Sequence, residues 1–334
     1  MAKASPPPLT IWAVSDGRAG IEAQALGLAE AVARLRPAEV VVKRIGWRWG
    51  LGRLPWRLIP PAALKGDLAP PWPDIWIAAG RATLPLSTRV RRWSGGETFV
   101  VQTQDPRVPL TAFDLVVPPE HDGLTGSNVF PILGAPNRLT PQKLADELAA
   151  VADRLEPLPH PRVAAIIGGK SKAFDLPPAR AAVMAREIAA AIEASGGSLL
   201  LSFTRRTPTA ARAIMTAALR HLPGIIWDDR PPNPYFAFLA AADAILVTED
   251  STNLATDAAA TGKPVLTLSM EGGSAKFARF HAALRDRGIT RPFDGRIETW
   301  TYPPLAETDR AAAELLRRHD ALCIGGRMAF LHDR

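Results

Sequence analysis

Short apolar runs alternate with alanine-rich helical patterns along most of this chain. Strands that alternate with helices form parallel sheets covered by helices on both faces. The sequence therefore predicts an α/β fold built from Rossmann-like, doubly wound parallel sheets. The predicted strands are Leu9–Val14, Val40–Val42, Ile75–Ala79, Thr98–Gln102, Leu115–Val117, Val163–Ile167, Leu199–Phe203, Ile225–Trp227, Ala244–Val247 and Val265–Leu268.

A proline-rich segment, Glu156–Pro161, interrupts this series and is typical of a linker. A chain of 334 residues is long enough for two domains with cores of their own. We therefore expect an N-terminal domain over residues 1–155, a C-terminal domain over 162–305, and a final helix and tail over 306–334. The helix in that last segment, Glu307–Arg318, can pack on either domain.

Composition narrows the class of protein. The single cysteine, Cys323, and the lack of a leader-like or membrane-spanning apolar run predict a cytoplasmic protein. A formal net charge of +7 favours anionic partners such as nucleotides or acidic lipids. No nucleic-acid-binding motif is present, so we expect no nucleic-acid partner. The sequence does not identify a protein partner.

Several familiar motifs are incomplete. Gly169-Lys170-Ser171 matches the end of a P-loop, but Ala164 stands where that loop needs its earlier glycine. Residues 17–20 lack the full dinucleotide fingerprint, no His and Cys pair has zinc spacing, and no G-x-S-x-G elbow occurs. We therefore expect no metal site, no bound cofactor, and neither P-loop NTPase nor serine hydrolase chemistry.

The stretch Lys43–Pro60 carries five cations and three tryptophans (Trp47, Trp49 and Trp56) without an acidic residue. Tryptophan and arginine beside leucine suit the headgroup region of an anionic membrane, which would give a peripheral position on the inner membrane. The same residues suit a loop that packs its indoles onto the domain, with arginine stems covering apolar surface. The absence of a clean amphipathic period favours packing.

The stretch Ala241–Leu268 is the most informative for function. Its pattern predicts a strand, a helix that begins after the polar cluster Thr248–Asn253, a stop at Gly262 and a second strand. The start of such a helix presents free N–H groups and a positive dipole end, where an anion binds. One turn into the helix, Asp257 can place a carboxylate near a ribose. An ordinary βαβ unit with a capped helix explains the same pattern.

Polar and glycine residues also follow most of the other predicted strands. Since parallel strands end at one edge of a sheet, these loops share an edge in each domain, and two such edges would line a cleft. In the first half the candidates are Asp16, Gly17, Arg18, Gly20, Gly80, Arg81, Asp105 and His121. In the second half they are Gly168, Gly169, Lys170, Ser171, Thr204, Arg205, Arg206, Thr248, Glu249, Asp250, Ser251, Thr252, Asn253, Asp257, Gly272, Gly273 and Ser274.

A set of motifs in order along the chain resembles the mitochondrial fission Elm-type family from about Leu9 to about Thr308. The motifs are DGRAG (16–20), AAGR (78–81), QDPR (104–107), PEHD (119–122), IGGKS (167–171), TRRTP (204–208), NPYF (233–236), VTEDS (247–251), TGKP (261–264), GGSAKF (272–277) and RPFDGR (291–296). More distantly, that family is similar to glycosyltransferases of the GT-B architecture. This resemblance implies two Rossmann-like domains facing a cleft, with a nucleotide-sugar donor held mainly by the second.

The resemblance also assigns roles. The lipid-linked GlcNAc transferase of peptidoglycan synthesis holds the donor ribose with a Glu, and the same offset from Gly262 lands on Asp257, one methylene shorter. Gly168 and Gly169 would let the backbone approach the pyrophosphate beside Lys170 or Ser171. Arg205 and Arg206 would neutralise phosphate charge, and the loops 248–253 and 272–274 would contact the leaving diphosphate.

An inverting sugar transferase also needs a base for the acceptor hydroxyl. Asp16, Asp105 and His121 lie on the predicted first-domain edge and are the candidates. Asp16 can instead cap a helix, Asp105 can form a turn before Pro106, and His121 can be a solvated turn residue.

Three functions remain open. The first is transfer of a sugar from a UDP- or GDP-sugar to a cell-envelope or lipid-linked acceptor. The second is epimerisation or hydrolysis of such a donor on the same fold. The third is a non-enzymatic scaffold, since the plant members of the resembled family are implied to recruit a dynamin-related partner to mitochondria.

Overall fold

The computed structural model describes residues 8–48, 54, 56–66 and 68–332. The chain divides into two compact units. Unit 1 comprises Met1–Arg138 and Ala306–Arg334, and unit 2 comprises Leu139–Leu305.

Unit 1 is a doubly wound parallel sheet. Its strands are β1 (Leu9–Ser15), β2 (Ala38–Arg44), β5 (Ile75–Ala79), β6 (Phe99–Thr103) and β7 (Leu115–Val117), and two short strands outside that sheet, β3 (Gly46–Trp47) and β4 (Leu64–Lys65), pair with each other. Its helices are α1 (Ala19–Leu35), α2 (Leu84–Trp93) and α10 (Glu307–His332). The strand order is β2-β1-β5-β6-β7, and all neighbours are parallel.

Alternate residues of the unit 1 strands face opposite layers. Ile11 and Ile77 pack with α1 and the start of α10 on one face, whereas Trp12 and Trp76 pack with α2 on the other. Every residue of β5 and β6 is buried, as expected for a parallel strand that is covered on both faces.

Unit 2 is a second doubly wound sheet. Its strands are β8 (Arg162–Ile167), β10 (Ser198–Phe203), β11 (Gly224–Ile226), β12 (Ala244–Thr248), β13 (Val265–Leu268) and β15 (Thr290–Pro292), with a separate short pair, β9 (Phe174–Asp175) and β14 (Glu271–Gly272). Its helices are α3 (Pro141–Ala149), α4 (Ala152–Leu155), α5 (Pro178–Ser195), α6 (Thr209–Leu219), α7 (Tyr235–Ala241), α8 (Thr252–Ala259) and α9 (Ala275–Asp286).

The parallel strand order in unit 2 is β11-β10-β8-β12-β13-β15. Renumbered from β8, this is the 3-2-1-4-5-6 order of a dinucleotide-binding fold. The predicted α/β class with doubly wound parallel sheets is confirmed in both units.

The boundary between the units lies at Arg138–Leu139 and not at Glu156–Pro161. The reason is packing, because α3 lies against α7 and the Lys143 ammonium sits 4.5 Å from the centre of the Phe236 ring. Residues 141–155 form two helices, α3 and α4, which are separated at Ala150–Val151. Helix α10 packs on α1 of unit 1, where Arg34 pairs with Asp309 at 2.6 Å.

The sequence did not predict helix α9, the edge strand β15 or the short strands β3, β4, β9 and β14. Among the residues that the structure describes, no helix has both the length and the apolar character needed to cross a bilayer.

Candidate functional site

The candidate site lies at the carboxyl edge of the unit 2 sheet. In open α/β sheets, ligands bind where the strand order reverses, outside the carboxyl ends of the two central strands. Here those strands are the neighbours β8 and β12. The loop after β8 begins at Gly168, and the loop after β12 runs from Glu249 to Ser251 and enters α8. Both loops were predicted as site loops, and the structure brings them together.

Asp250 joins three of the predicted loops. Its side chain is 0% exposed, and Oδ1 accepts a hydrogen bond from the Thr248 hydroxyl at 2.7 Å. Oδ2 accepts the Gly169 N–H at 3.1 Å and pairs with the Arg206 guanidinium at 2.7 Å. The loops after β8, β10 and β12 are therefore held to each other by one buried carboxylate.

This arrangement corrects part of the predicted ligand contact. Asp250 and Thr248 were expected to touch substrate, but both are buried and their oxygen atoms already have partners. Gly168 and Gly169 were expected to let the backbone approach a pyrophosphate; in the structure both are buried, and their N–H groups donate to Thr248 Oγ1 and Asp250 Oδ2. These four residues shape the loops and do not line the solvent-facing edge.

Close packing explains the two glycines. A Cβ at residue 168 would lie 1.9 Å from Asp250 Oδ1, and one at residue 169 would lie 2.1 Å from the carbonyl oxygen of Arg206. Glycine is required at both positions because the loops approach each other too closely for a Cβ.

The two arginines after β10 have different surroundings. Arg206 is bound by Asp250, so its charge is largely compensated. Arg205 is exposed and makes no hydrogen bond or ion pair with any part of the chain that the structure describes. Thr204 completes this turn, with its hydroxyl oxygen accepting the Arg206 N–H at 3.3 Å. Of the pair, Arg205 is the cation that is free to meet an anion.

Helix α8 begins beside these loops. Ser251 is its N-cap, and Ser251 Oγ accepts the Leu254 N–H at 3.4 Å. Ser251, Thr252 and Asn253 are partly exposed, so the first turn of the helix is accessible from solvent. The positive end of the helix therefore lies at the same sheet edge as Arg205.

Asp257 lies one turn further along α8 and is bonded to a residue that sequence reasoning did not single out. The Tyr235 hydroxyl, at the start of α7, donates to Asp257 Oδ2 at 2.8 Å. Oδ1 of this partly buried carboxylate has no hydrogen-bond partner among the described residues. Burial raises the pKa of Asp257 to about 7, against the opposing effect of the Tyr235 hydrogen bond. The NPYF motif was the only sequence signal for Tyr235.

This pKa predicts a pH dependence of stability. In the unfolded chain the carboxyl has an ordinary pKa of about 4. Between about pH 4 and 7 the folded state keeps a proton that the unfolded state releases, so the free energy of unfolding falls as the pH rises. We expect this fall in the wild type and not in Asp257→Asn, measured by urea unfolding at several pH values. Parallel curves for the two proteins would contradict the assignment.

The remaining unit 2 candidates lie around the same edge. Lys170 is exposed and its Nζ pairs with Asp175 at 2.9 Å, while Ser171 Oγ accepts N–H groups of its own turn. Glu249 accepts the Met270 N–H through Oε1 at 2.7 Å, and its carbonyl oxygen lies 2.9 Å from His281 Nε2. The exposed residues Gly272, Gly273 and Ser274 lead into α9, where Ser274 is the N-cap.

Unit 1 places its candidates at its own reversal point, between β1 and β5. Asp16 follows β1 and turns back onto Arg18, with Oδ2 accepting the Arg18 Nε–H at 2.8 Å. The N-cap of α1 is Arg18, which lies between Gly17 and Gly20 in the sequence. Asp16 is therefore not the cap, and its side chain closes a local turn instead. After β5, Gly80 has φ of +81°, and a Cβ there would lie 2.9 Å from Ile21 Cγ2. The exposed Arg81 follows it.

The other two base candidates of unit 1 lie further along its sheet edge. Asp105 Oδ1 accepts the Arg107 N–H at 2.8 Å, which is the turn that the sequence offered as an alternative. His121 lies in a 3₁₀ turn after β7 and is buried, 7% exposed, so it is not a solvated turn residue. Because β5 and β6 separate β1 from β7, Asp16 and His121 follow strands whose axes are about 14 Å apart.

The tryptophan stretch packs where the structure describes it. Trp47 is partly buried against the α2 face of unit 1, and its Nε1–H donates to the Ala82 carbonyl at 2.9 Å. Trp49 and Arg53 lie outside the described residues. No group of three His, Cys, Asp or Glu side chains in the described ranges is arranged to hold a metal ion.

The family model for mitochondrial fission ELM1 matches residues 19–319. The chain belongs to this family. It is 32% identical to the mitochondrial fission protein ELM1 of Arabidopsis thaliana over 275 residues, which are 73% of this chain and 64% of that protein. The chain thus spans less than two thirds of this relative. It is 27% identical to the uncharacterized protein RP120 of Rickettsia prowazekii, over 91% of this chain and 97% of that protein.

Solved structures with a similar fold cover nearly all of this ELM1-family chain. A Listeria monocytogenes protein assigned as a UDP-N-acetylglucosamine 2-epimerase has a TM-score of 0.54 at 13% identity, covering 94% of this chain and 90% of its own. The Methanocaldococcus jannaschii UDP-GlcNAc 2-epimerase, solved with UDP-GlcNAc and UDP, has a TM-score of 0.51 at 11% identity and covers 93% and 99%. At such identities the likeness establishes the fold alone, and the predicted GT-B-like fold is confirmed.

Proposed function

We propose that unit 2 binds a nucleotide-diphosphate sugar at the carboxyl edge of its sheet, and that the protein transfers the sugar to a cell-envelope or lipid-linked acceptor. The observation that carries this proposal is the meeting of the β8, β10 and β12 loops at the reversal point of a 3-2-1-4-5-6 sheet. A cytoplasmic location fits a donor of this kind.

Two groups at this edge supply positive potential for a diphosphate. The first is the start of α8, whose partly exposed first turn presents the positive end of the helix dipole. The second is Arg205, the exposed guanidinium without a partner among the described residues. A guanidinium binds phosphate oxygens through paired N–H groups. Arg206, already bound to Asp250, supports the loop and contributes less to the anion.

The Asp257 carboxylate can accept a hydrogen bond from a ribose hydroxyl. The Tyr235 hydroxyl holds Oδ2, and the unbonded Oδ1 remains for a ribose hydroxyl. UDP-GlcNAc is the natural first probe, because it is the ligand named for the Methanocaldococcus structure.

Transfer with inversion requires the acceptor oxygen to attack the anomeric carbon while the bond to the diphosphate breaks. The acceptor proton passes to a base and the electron pair of the broken bond stays on the diphosphate, where positive charge stabilises it. Asp16, Asp105 and His121 remain the proposed candidates for the base. Asp16 and Asp105 are the more accessible of the three.

The test is a calorimetric titration with UDP, GDP and UDP-GlcNAc. We expect the preferred nucleotide to bind, and Arg205→Ala to weaken its binding about tenfold, since a charged hydrogen bond to phosphate is lost. Arg186→Ala is the matched control, because Arg186 is exposed on α5, away from the loops at the sheet edge, and its replacement should leave affinity unchanged.

The outcomes separate the candidate activities. If no nucleotide binds or raises the melting temperature at millimolar concentration, the donor site is rejected and the scaffold function gains weight. If a nucleotide sugar binds, incubation with lipid extract followed by mass spectrometry should reveal a glycosylated lipid. An epimerised donor or free monosaccharide without such a product would instead establish the epimerase or hydrolase.

A further inference from the structure

In unit 1, the connection between β2 and β5 includes a segment that lies outside the five-stranded sheet. The strands β3 and β4 close it as an antiparallel pair, with Gly46 opposite Lys65 and Trp47 opposite Leu64. We call residues 46–65 the β3–β4 excursion; the structure describes 46–48, 54 and 56–65 of it.

The excursion is anchored to unit 1 by its inward-facing residues. Ile59 and Ala63 are buried, at 3% and 0% exposure. The Arg89 guanidinium of α2 donates to the Ile59 carbonyl at 3.1 Å, and the Trp47 indole donates to the Ala82 carbonyl. These anchors hold the described residues of the excursion that contain them to unit 1.

The outward-facing residues include two exposed leucines. Leu54 is 43% exposed and Leu58 is 66% exposed, the highest value for a large apolar residue in the described part of the chain. Val42, at 39%, lies just before the excursion on the edge strand β2. Of the five large apolar residues that are exposed in the described ranges, three therefore fall between residues 42 and 58.

The sequence around these leucines carries charged residues of one sign, although Glu22 of α1 pairs with Arg44 at 2.7 Å. Residues 43–66 contain six lysines and arginines and no aspartate or glutamate, although the chain carries 33 acidic residues in 334. Arg48, Arg57 and Lys65 are exposed. The exposed cations of this stretch complement an anionic partner.

From this combination we infer that the β3–β4 excursion docks on an anionic lipid bilayer. Leucines inserted at the headgroup boundary and cations at the surface supply the two signals that stable peripheral binding needs. A nucleic acid or another soluble polyanion would pair with the cations but would not bury the leucine side chains. The inference is independent of the proposed donor site, which lies in unit 2.

The test is co-sedimentation with phosphatidylcholine vesicles, with and without about one third phosphatidylglycerol. We expect binding only to the anionic vesicles, and a loss of about tenfold in Leu54→Asp/Leu58→Asp. A similar loss is expected for Arg48→Gln/Lys65→Gln, and for the wild type in about 0.5 M salt. Leu35→Asp is the control, because Leu35 is 55% exposed on unit 1 but lies outside the excursion.

Melting curves of all variants establish that each is folded before binding is compared. Wild-type protein that stays in the supernatant with both vesicles overturns the inference. So does binding that Leu54→Asp/Leu58→Asp retains in full, because that result describes plain electrostatic attraction, or binding that Leu35→Asp weakens equally.

Discussion

Replacing Asp250 by alanine should lower the free energy of unfolding by about 1–3 kcal/mol, the cost of leaving buried hydrogen-bond donors without an acceptor. The side chain is wholly buried and bonds Thr248, Gly169 and Arg206. Its loss removes the acceptor of the Gly169 N–H and of the Thr248 hydroxyl, whereas the exposed Arg206 guanidinium loses its partner but stays hydrated. Urea denaturation followed by circular dichroism measures the effect.

Asp228→Ala is the control for this prediction. Asp228 also belongs to unit 2 and also pairs with an arginine, Arg230, but its side chain is 59% exposed. A surface pair of this kind contributes little, so the change should stay within about 0.5 kcal/mol. Equal effects of the two substitutions would show that Asp250 does not join the loops as the structure indicates. Asp250→Asn should fall between them, since its amide keeps one acceptor oxygen but loses the charge.

Gly169→Ala should destabilise the protein by about 1–3 kcal/mol and also reduce nucleotide affinity. The added methyl group would meet the Arg206 carbonyl oxygen at 2.1 Å and the Thr207 Cα at 2.6 Å. These are backbone atoms, which cannot rotate away as a side chain can. Relief therefore requires the loop after β8 to separate from the loop after β10, which moves Arg205.

The matched substitution is Gly46→Ala, where the nearest atom to an added Cβ is Lys65 Cβ at 3.7 Å, an ordinary contact. We expect this variant to unfold at nearly the wild-type urea concentration. If Gly169→Ala also unfolds there, the close approach of the two loops is not a feature of the protein in solution. Thermal melts with and without nucleotide report both effects.

The sequence was sufficient for the fold because its signals are local. Strands such as Ile75–Ala79 and Leu115–Val117 are uninterrupted apolar runs, and the structure reproduces these bounds. A capped helix was predicted beside the cluster Thr248–Asn253 because hydroxyl, acid and amide side chains before an alanine-rich segment form a capping pattern, and in the structure Ser251 is the cap. The loops of the site were predicted because parallel strands end at one edge.

The side-chain roles in the site were not predictable in the same way. An aspartate that follows a strand has the same local pattern whether it faces a ligand or, like Asp250, turns inward to a glycine amide and an arginine from other loops. The hydrogen bond between Tyr235 and Asp257 joins two helices through residues that are 22 positions apart in the sequence. The unit boundary depended on the contact of α3 with α7, which no composition change marks. Each of these features is set by tertiary packing.

The placement of α10 fixes an order of events during synthesis. Ala311, Ala312 and Leu315 are wholly buried in the same core as Leu28 and Val32 of α1. Since α10 begins at Glu307, a ribosome must translate all of unit 2 before the helix that covers α1 exists. The apolar layer of unit 1 that α10 covers therefore stays uncovered until unit 2 and α10 have both been synthesised.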